Sequence, residues 1–550
     1  MARGERAEGG GSGGGSCGQR CGAAAGLAGL GLLCLGFGLL LLQTLPALVR
    51  QQVAKNTRID PSSAMYPIWK DLPVPFFISF YFMEVVNSKD ILLGAKPIVS
   101  QRGPYVYREY RHKKNITFHS NSTVSFLGYR SFTFQPDRSN GSESDYIVMP
   151  NLLVLGAAVM LENMPFALRL TFSSALAIFH QNAFMNRTVA DIIWGYNEPF
   201  TQFLSSLGVT VGPSGGRFGL FSDLNNSHSG LFTVFTGTDD INKTHMVDSW
   251  NGLKKVSYWH SEECNMINGT AGEQWPPFMT PSSPVELYTP DACRSIKLNY
   301  TQPGDFKGIP VYRYTAPKTL FANGTVYPPN EGFCPCRQSG IQNISSCKLN
   351  APIFISQPHF LNADPALLDM VDGLHPNEED HDLFVDIHPL TGVPMNCSVK
   401  IQLNLFIKHV SGIWQTGKIK PVVLPLVWFS ESGEVIGDIL HDYYTHLITI
   451  PSLLEYLKFC LMGLGGLLLL AAGLVGLRTK TLNLSGQKDR SVAIQIPPRS
   501  DINYGYHGPL VSDPSVDQNT ASFPNPPVEC YRNLFPTLAT FVNFNYVCLC

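Results

Sequence analysis

Two uncharged apolar segments, one near each end of the chain, stand out in the hydrophobic pattern. They cover residues 21–42 and 459–477, and neither contains Asp, Glu, Lys or Arg. A helix needs about 20 apolar residues to cross the hydrocarbon core of a bilayer. We therefore predict transmembrane helices at 21–45 and 456–477. The first is expected to be an uncleaved signal anchor, because its apolar region is longer than that of a cleaved signal peptide.

Between these segments the pattern changes to short runs of β-branched and aromatic residues, several of them alternating with a period of two. Examples are PFFISFYFMEVV, GPYVYREYRH, STVSFLGYRSFTF and VKIQLNLFIKHV. Clusters of Gly, Asn, Asp and Pro separate the runs, as expected for strands joined by turns. This pattern predicts a large, mostly antiparallel sheet or barrel. The stretch from Leu152 to Trp194 differs, since its apolar residues fall near helical spacing.

One internal run, YIVMPNLLVLGAAVML from Tyr146 to Leu161, is unusually apolar for a water-facing domain. A third span is disfavoured, because the run is short and Pro150 and Asn151 interrupt it. Two interpretations stay open. The run is a buried strand passing into a buried helix, or part of it lines a lipid cavity, with Leu152 and Val154 as the candidate lining residues.

Glycosylation sequons place the residues between the spans outside the cell. Residues 46–455 contain many Asn-x-Ser/Thr tripeptides, and each acceptor must be at an exposed surface to receive a glycan. The predicted acceptors are Asn115, Asn121, Asn140, Asn186, Asn225, Asn242, Asn268, Asn299, Asn323, Asn343 and Asn396. The tails at 1–20 and 478–550 are then cytoplasmic, and their composition predicts that they are largely disordered.

Charge and motifs provide no sign of an enzyme or of a nucleic-acid-binding protein. The net charge of −2 shows no basic excess. Gly212–Gly216 matches the pattern G-x-S-x-G, but it lacks the preceding strand and following helix of a nucleophile elbow. The segment HPNEEDHD, at 375–382, is either a cation site or, as we expect, a solvated acidic loop. We find no metal or cofactor motif.

The six cysteines of the extracellular region predict a disulfide framework, because their number is even and the context is oxidising. They are Cys264, Cys293, Cys334, Cys336, Cys347 and Cys397. Six cysteines allow 15 pairings, so the spacing alone does not choose among them. The Cys-Pro-Cys at 334–336 lacks the two-residue spacing of a zinc knuckle.

Both spans are rich in glycine, with one set at 22–38 and another at 463–476. Small residues on one helix face allow close helix–helix approach in a membrane. We expect a contact between these faces within one chain or between chains, so a homo-oligomer is one expectation.

Many ordered segments resemble the class B scavenger receptor family. They include RGPYVYREYRHKKNITF, ESDYIVMPN, WHSEECNMINGT, APKTLFANGTVYPPNEGFCPC, PHFLNADP and DIHPLTGVPMNCSVK, and the resemblance covers roughly residues 20–477. It implies an α+β membrane protein in which two transmembrane helices flank a large antiparallel β-barrel-like ectodomain. That ectodomain is expected to have an apical helical bundle, at 152–196 here, and an internal hydrophobic tunnel.

The resemblance also implies a function. Family members dock high-density lipoprotein through its apolipoproteins and transfer cholesteryl ester and cholesterol through the tunnel; they also bind phospholipids, including phosphatidylserine, and modified lipoproteins. The expected location is the plasma membrane and its cholesterol-rich domains such as caveolae. Arg169, with Phe166 and Phe172 beside it, corresponds to the docking surface.

For the cysteines, the resemblance implies the pairs Cys264–Cys397, Cys293–Cys347 and Cys334–Cys336. Its alternative for Cys397 is a reactive thiol beside the tunnel. Two rival functions remain: an endocytic scavenger or adhesion receptor without tunnel-mediated transfer, and a lysosomal escort protein.

Overall fold

The computed structural model describes residues 15–63, 65–206, 217–333 and 338–488. The chain divides into two compact units. One contains the described parts of residues 1–37 and 461–549, and the other is formed mainly by residues 38–460. The predicted tails lie largely outside the described residues, as do Gly212–Gly216 and the pair Cys334 and Cys336.

The α-helices, in chain order, are α1 (Gly15–Thr57), α2 (Tyr66–Lys70), α3 (Ser88–Leu92), α4 (Ala157–Met160), α5 (Phe166–Ile178), α6 (Val189–Trp194), α7 (Pro199–Ser206), α8 (Pro365–Leu368), α9 (Glu378–His381), α10 (Gly437–Tyr444) and α11 (Ile450–Lys488). The strands are β1 (Asp71–Val85), β2 (Val99–Phe118), β3 (Thr123–Phe134), β4 (Tyr146–Pro150), β5 (Phe184–Thr188), β6 (Tyr196–Asn197), β7 (Arg217–Phe218), β8 (Ser227–Phe235), β9 (Val247–Trp250), β10 (Val285–Thr289), β11 (Arg294–Phe306), β12 (Ile309–Thr315), β13 (Ile341–Asn343), β14 (Ile353–Ser356), β15 (Phe384–Ile387), β16 (Pro394–Ile407) and β17 (Val422–Glu434).

Two helical segments are long and apolar enough to cross a membrane, namely Cys21–Thr57 and Gly437–Thr481. This confirms the prediction of two spans that flank the sheet, although both helical segments continue beyond the predicted spans. The helices approach closely at two glycines. A Cβ at Gly465 would lie 2.8 Å from the Gly31 carbonyl oxygen, so only glycine fits there. The glycine contact expected from the sequence therefore forms within one chain.

The body of the second unit is one antiparallel sheet of 13 strands. Its main path runs β10-β11-β12-β15-β16-β17-β1-β2-β3-β8-β9, with β13 and β14 attached beside β16. The two ends of this path meet through a single short segment. The Val247 amide donates to the Gly269 carbonyl at 2.8 Å, and the Tyr288 amide donates to Thr270 at 2.8 Å. The sheet is thus nearly closed, as the strand pattern and the resemblance predicted.

A helical head is built from the run that begins at Tyr146. The run is a strand, β4, followed by a π-helical turn over Leu152–Gly156 and then by α4. The Asn151 side chain caps this turn by accepting from the Leu153 amide at 3.1 Å. The interpretation as a strand passing into a helix is therefore confirmed. The helix prediction was too broad at Phe184–Thr188, which instead forms β5 and pairs with β4.

Candidate functional site

The inner face of the nearly closed sheet carries apolar side chains that are only half-buried. We call Phe76, Phe132, Cys397, Val399 and Phe429 the inner-face residues; all five keep accessible surface. A close-packed interior covers inward-facing side chains almost completely. About eight strands make a barrel just narrow enough to be filled by side chains, whereas larger barrels enclose a space. The main path here has eleven strands.

Sheet register places these residues side by side. Phe132 lies opposite Glu109, Glu109 opposite Phe76, Phe76 opposite Gly433, and Gly433 opposite Cys397. A side chain at Gly433 is excluded, because its Cβ would lie 2.6 Å from the Phe76 ring. One continuous row therefore crosses five strands at a single level of the sheet.

Charged side chains lie beside this row. Arg111 donates to both carboxylate oxygens of Glu109, at 2.8 and 3.2 Å, and also pairs with Glu431. Arg130 pairs with Asp291 at 3.0 Å. Burial is the largest single effect and opposes ionisation of Asp291, but the combined attraction of Arg130, Lys348 and Arg111 lowers the Asp291 pKa. The wall at this level is therefore mixed, and its charged side chains lie in ion pairs, with Arg111 shared by two carboxylates.

Cys397 lies deep in the body, yet part of its surface is free. Burial raises the pKa of its thiol to about 11, against the partly opposing effect of Arg111. Only the thiolate is strongly nucleophilic. At neutral pH Cys397 is a neutral thiol, so its position fits the predicted tunnel wall but its chemistry does not make it intrinsically reactive.

The two other tunnel candidates have different surroundings. Leu152 is half-buried and lines a cavity of about 10 Å³ together with Met149, Met185 and Leu426. Val154 is fully buried in the core of the head, where it packs with Leu176 and Phe200 among others. That placement does not fit a tunnel wall, and we assign Val154 to the protein core.

A second cavity, also about 10 Å³, is lined by Arg294, Phe333 and Gln342 among others. A cavity of this size has room for about one water molecule. Neither cavity is lined by inner-face residues, and neither alone holds a sterol ester. A continuous tunnel therefore stays a prediction.

The three predicted docking residues separate into two environments. Phe166, at the start of α5, is 55% exposed, and the Arg169 guanidinium lies 5.6 Å from the centre of its ring. Phe172 is half-buried and packs on Phe200 with ring centres 5.8 Å apart. Phe166 is therefore available at the surface, Arg169 is half-buried with its Nε covered, and Phe172 mainly supports the core of the head.

Cys293 and Cys347 form a disulfide bond. The expected Cys264–Cys397 bond is wrong, since both residues are free thiols in the structure. Cys264 is buried near Pro329 and Gly332, whereas Cys397 faces the inside of the sheet next to Gly433. The alternative in which Cys397 is unpaired agrees with this placement.

None of the eleven predicted glycan acceptors is buried. Asn225, Asn323, Asn343 and Asn396 are half-buried, and the other seven are exposed. Asn396 precedes Cys397 on β16, so the two side chains point to opposite faces of the sheet. Occupancy of these sites stays a prediction.

A cluster of histidines and aromatics was missed from the sequence. The rings of His359 and His381 stack 4.5 Å apart, and Trp428 packs edge-on against both. Gln101 accepts from the Trp428 indole at 2.8 Å and lies 2.7 Å from His359 Nε2. The expected acidic loop at 375–382 thus contributes a buried His381 to packing. No local motif signals this cluster, because its members come from separate segments and Gln101 is 258 positions from His359.

Comparison with known proteins identifies the family. The sequence profile of the CD36 family matches residues 28–475. Scavenger receptor class B member 1 of Cricetulus griseus is 59% identical over 455 residues, covering 83% of this chain and 89% of that protein, and the Rattus norvegicus protein gives the same values. Human lysosome membrane protein 2 is 34% identical over 418 residues, covering 75% of this chain and 86% of its own length. The nearly closed sheet, the two apolar helices and these similarities together show that the chain belongs to the CD36 family of two-span membrane proteins.

Proposed function

We propose that this class B scavenger receptor is a cell-surface lipoprotein receptor. It docks high-density lipoprotein on the helical head and passes cholesteryl ester and cholesterol through the inside of the sheet to the plasma membrane, without uptake of the particle. Both termini are cytoplasmic in this proposal. The observation that carries it is the half-buried state of the inner-face residues, because a solid core would leave them no free surface.

The energetics favour such a passage. Each CH₂ group exposed to water costs about 0.8 kcal/mol, so a free cholesteryl ester in water costs on the order of tens of kcal/mol. A protein-lined route removes most of that cost, and transfer down a concentration gradient needs no nucleotide. Glu109 and Glu431 share Arg111, and Asp291 pairs with Arg130, so each of these carboxylates has a cationic partner beside the proposed passage.

A doubly labelled particle tests the proposal. High-density lipoprotein carries a non-hydrolysable cholesteryl ether and a separately labelled apolipoprotein, and cells expressing the full chain are assayed for both. We expect lipid uptake to exceed apolipoprotein uptake by about tenfold or more. Equal uptake of the two labels would favour the endocytic receptor instead.

A substitution on the inner face tests whether lipid passes along these residues. Val399→Trp fills space beside Cys397, so lipid uptake should fall while particle binding stays unchanged. Val326→Trp, at a position that is 62% exposed, is the matched control and should change neither. Surface biotinylation of both variants checks that they fold and reach the membrane.

A further inference from the structure

Large apolar side chains are exposed together on the helical head. We define the head patch as Met160, Met164, Phe166, Leu168 and Trp414, which are between 45% and 66% exposed, with Trp414 the most exposed. Single exposed apolar side chains are common on protein surfaces, but a group of them marks an interaction site.

Contacts between two segments join the patch into one surface. The Trp414 amide donates to the Ser173 hydroxyl of α5 at 3.0 Å. The Gln415 side chain accepts from that hydroxyl at 2.7 Å and donates to the Ser173 carbonyl at 3.0 Å. At Gly412, which has a φ of 87°, a Cβ would lie 3.0 Å from the Phe166 ring. The loop that carries Trp414 is therefore held against α5.

The two segments that carry the patch, residues 157–180 and 408–420, are mostly positive in charge. In residues 157–180 and 408–420 the only carboxylate is Glu162, and it pairs with Lys408. Arg169, Lys418 and Lys420 are the other basic side chains of these segments. These two segments complement phosphate groups, because their one carboxylate is already paired with a lysine.

The composition favours a lipid surface over a peptide. Trp, Phe and Leu beside basic residues are typical of segments that bury their apolar side in the headgroup region of a phospholipid layer. An amphipathic helix from a protein partner instead docks its apolar face into a hydrophobic groove. Neither cavity described above is lined by head-patch residues.

We propose that the head patch inserts into the phospholipid monolayer of the lipoprotein, with Trp414 as its main anchor. This inference rests on the proposed docking function and specifies its partner as the lipid surface of the particle. The basic side chains then lie among the phosphates, and a bound apolipoprotein is not required for the contact.

Protein-free particles test this directly. Cells expressing the full chain are incubated with emulsion particles of phosphatidylcholine and cholesteryl ester, and in parallel with high-density lipoprotein. The variants are Trp414→Gln and Phe166→Gln, with Leu253→Gln as the matched control because Leu253 is 52% exposed outside the head. Surface biotinylation normalises binding to the amount of receptor.

The inference predicts that the wild type binds the emulsion particles. Each head-patch variant should weaken that binding by about tenfold, the value of burying one large apolar side chain, whereas Leu253→Gln should not. Trp414→Phe should retain most of the affinity, because it preserves the apolar surface.

Three results would overturn it. The first is that the wild type binds lipoprotein and takes up its lipid but does not bind the emulsion. The head then recognises apolipoprotein, and the proposed function survives without this inference. If both Gln variants bind emulsion normally, the patch is not the contact. If they abolish self-association in chemical cross-linking but leave emulsion binding intact, the patch binds a second copy. Failure of the wild type to take up lipid selectively from either particle would instead refute the proposed function itself.

Discussion

Acidification should destabilise the body formed by the 13-stranded sheet, because three histidines are held neutral inside it. Burial lowers the pKa of His245 to about 4 and that of His388 to about 4. Burial, together with repulsion from neighbouring His381, lowers the pKa of His359 to about 3. A second proton on the His359 ring would have to displace a hydrogen bond, since Nδ1 accepts from the His375 amide at 3.1 Å.

The size of the effect follows from these values. A histidine in an unfolded chain has a pKa of about 6.5. Because the folded-state pKa values lie below this, the stabilisation is fully present above about pH 6.5 and is lost as the pH falls toward the folded-state value. Compared with pH 7.5, each of the three groups should lower the free energy of unfolding at pH 5 by about 2 kcal/mol, or by about 6 kcal/mol together.

Pulse proteolysis across a urea series, on the full-length chain in phospholipid nanodiscs, measures this free energy at pH 7.5 and 5.0. His245→Gln keeps a group able to reach the Thr57 carbonyl, which lies 3.3 Å from Nε2, and should remove about 2 kcal/mol of the pH dependence. His260→Gln, at an exposed position, is the control. Equal stability at the two pH values, or greater stability at pH 5.0, would refute the reasoning.

Further predictions concern the cysteines and the spans. Cys397, with a pKa of about 11, should react with water-soluble iodoacetamide at pH 7.5 about 100-fold more slowly in the folded protein than in urea, and rapid labelling of the folded protein would contradict this. Cys347→Ala should lower the unfolding free energy by about 4 kcal/mol, because the bond to Cys293 closes a loop of 54 residues, and pulse proteolysis showing a loss below about 1 kcal/mol would argue against it. Gly465→Leu should reduce engineered cysteine cross-linking between the spans several-fold, whereas Gly473→Leu, which has nothing within 4 Å, should leave it unchanged; equal cross-linking in the two variants would show that the glycine contact is not needed.

Local sequence patterns were sufficient to predict the main elements of this fold, with one strand mistaken for helix. The two apolar segments, the alternating strands and the strand-to-helix run from Tyr146 follow from periodicity within short windows. The error at Phe184–Thr188 has a tertiary cause, because pairing with β4 overrides the helical spacing of its apolar residues.

Relations between distant positions could not be obtained in this way. The Arg130–Asp291 pair joins residues 161 positions apart, and closure of the sheet depends on a few backbone hydrogen bonds at Gly269 and Thr270. The environment of Val154 also could not be predicted from the local pattern. Its pattern is apolar whether it faces lipid or protein, and only its packing with Leu176 and Phe200 assigns it to the core.

Transfer of lipid along the inside of the sheet is tested most directly by photolabelling. High-density lipoprotein loaded with a photoreactive cholesteryl ester is bound to cells that express the full chain, illuminated during transfer, and the labelled residues are mapped by mass spectrometry. We predict adducts on inner-face residues, with Val399, Phe429 and Phe132 foremost. Adducts confined to outward-facing side chains, such as Asn396 and Lys400 on the same strand as Val399, would contradict passage through the protein.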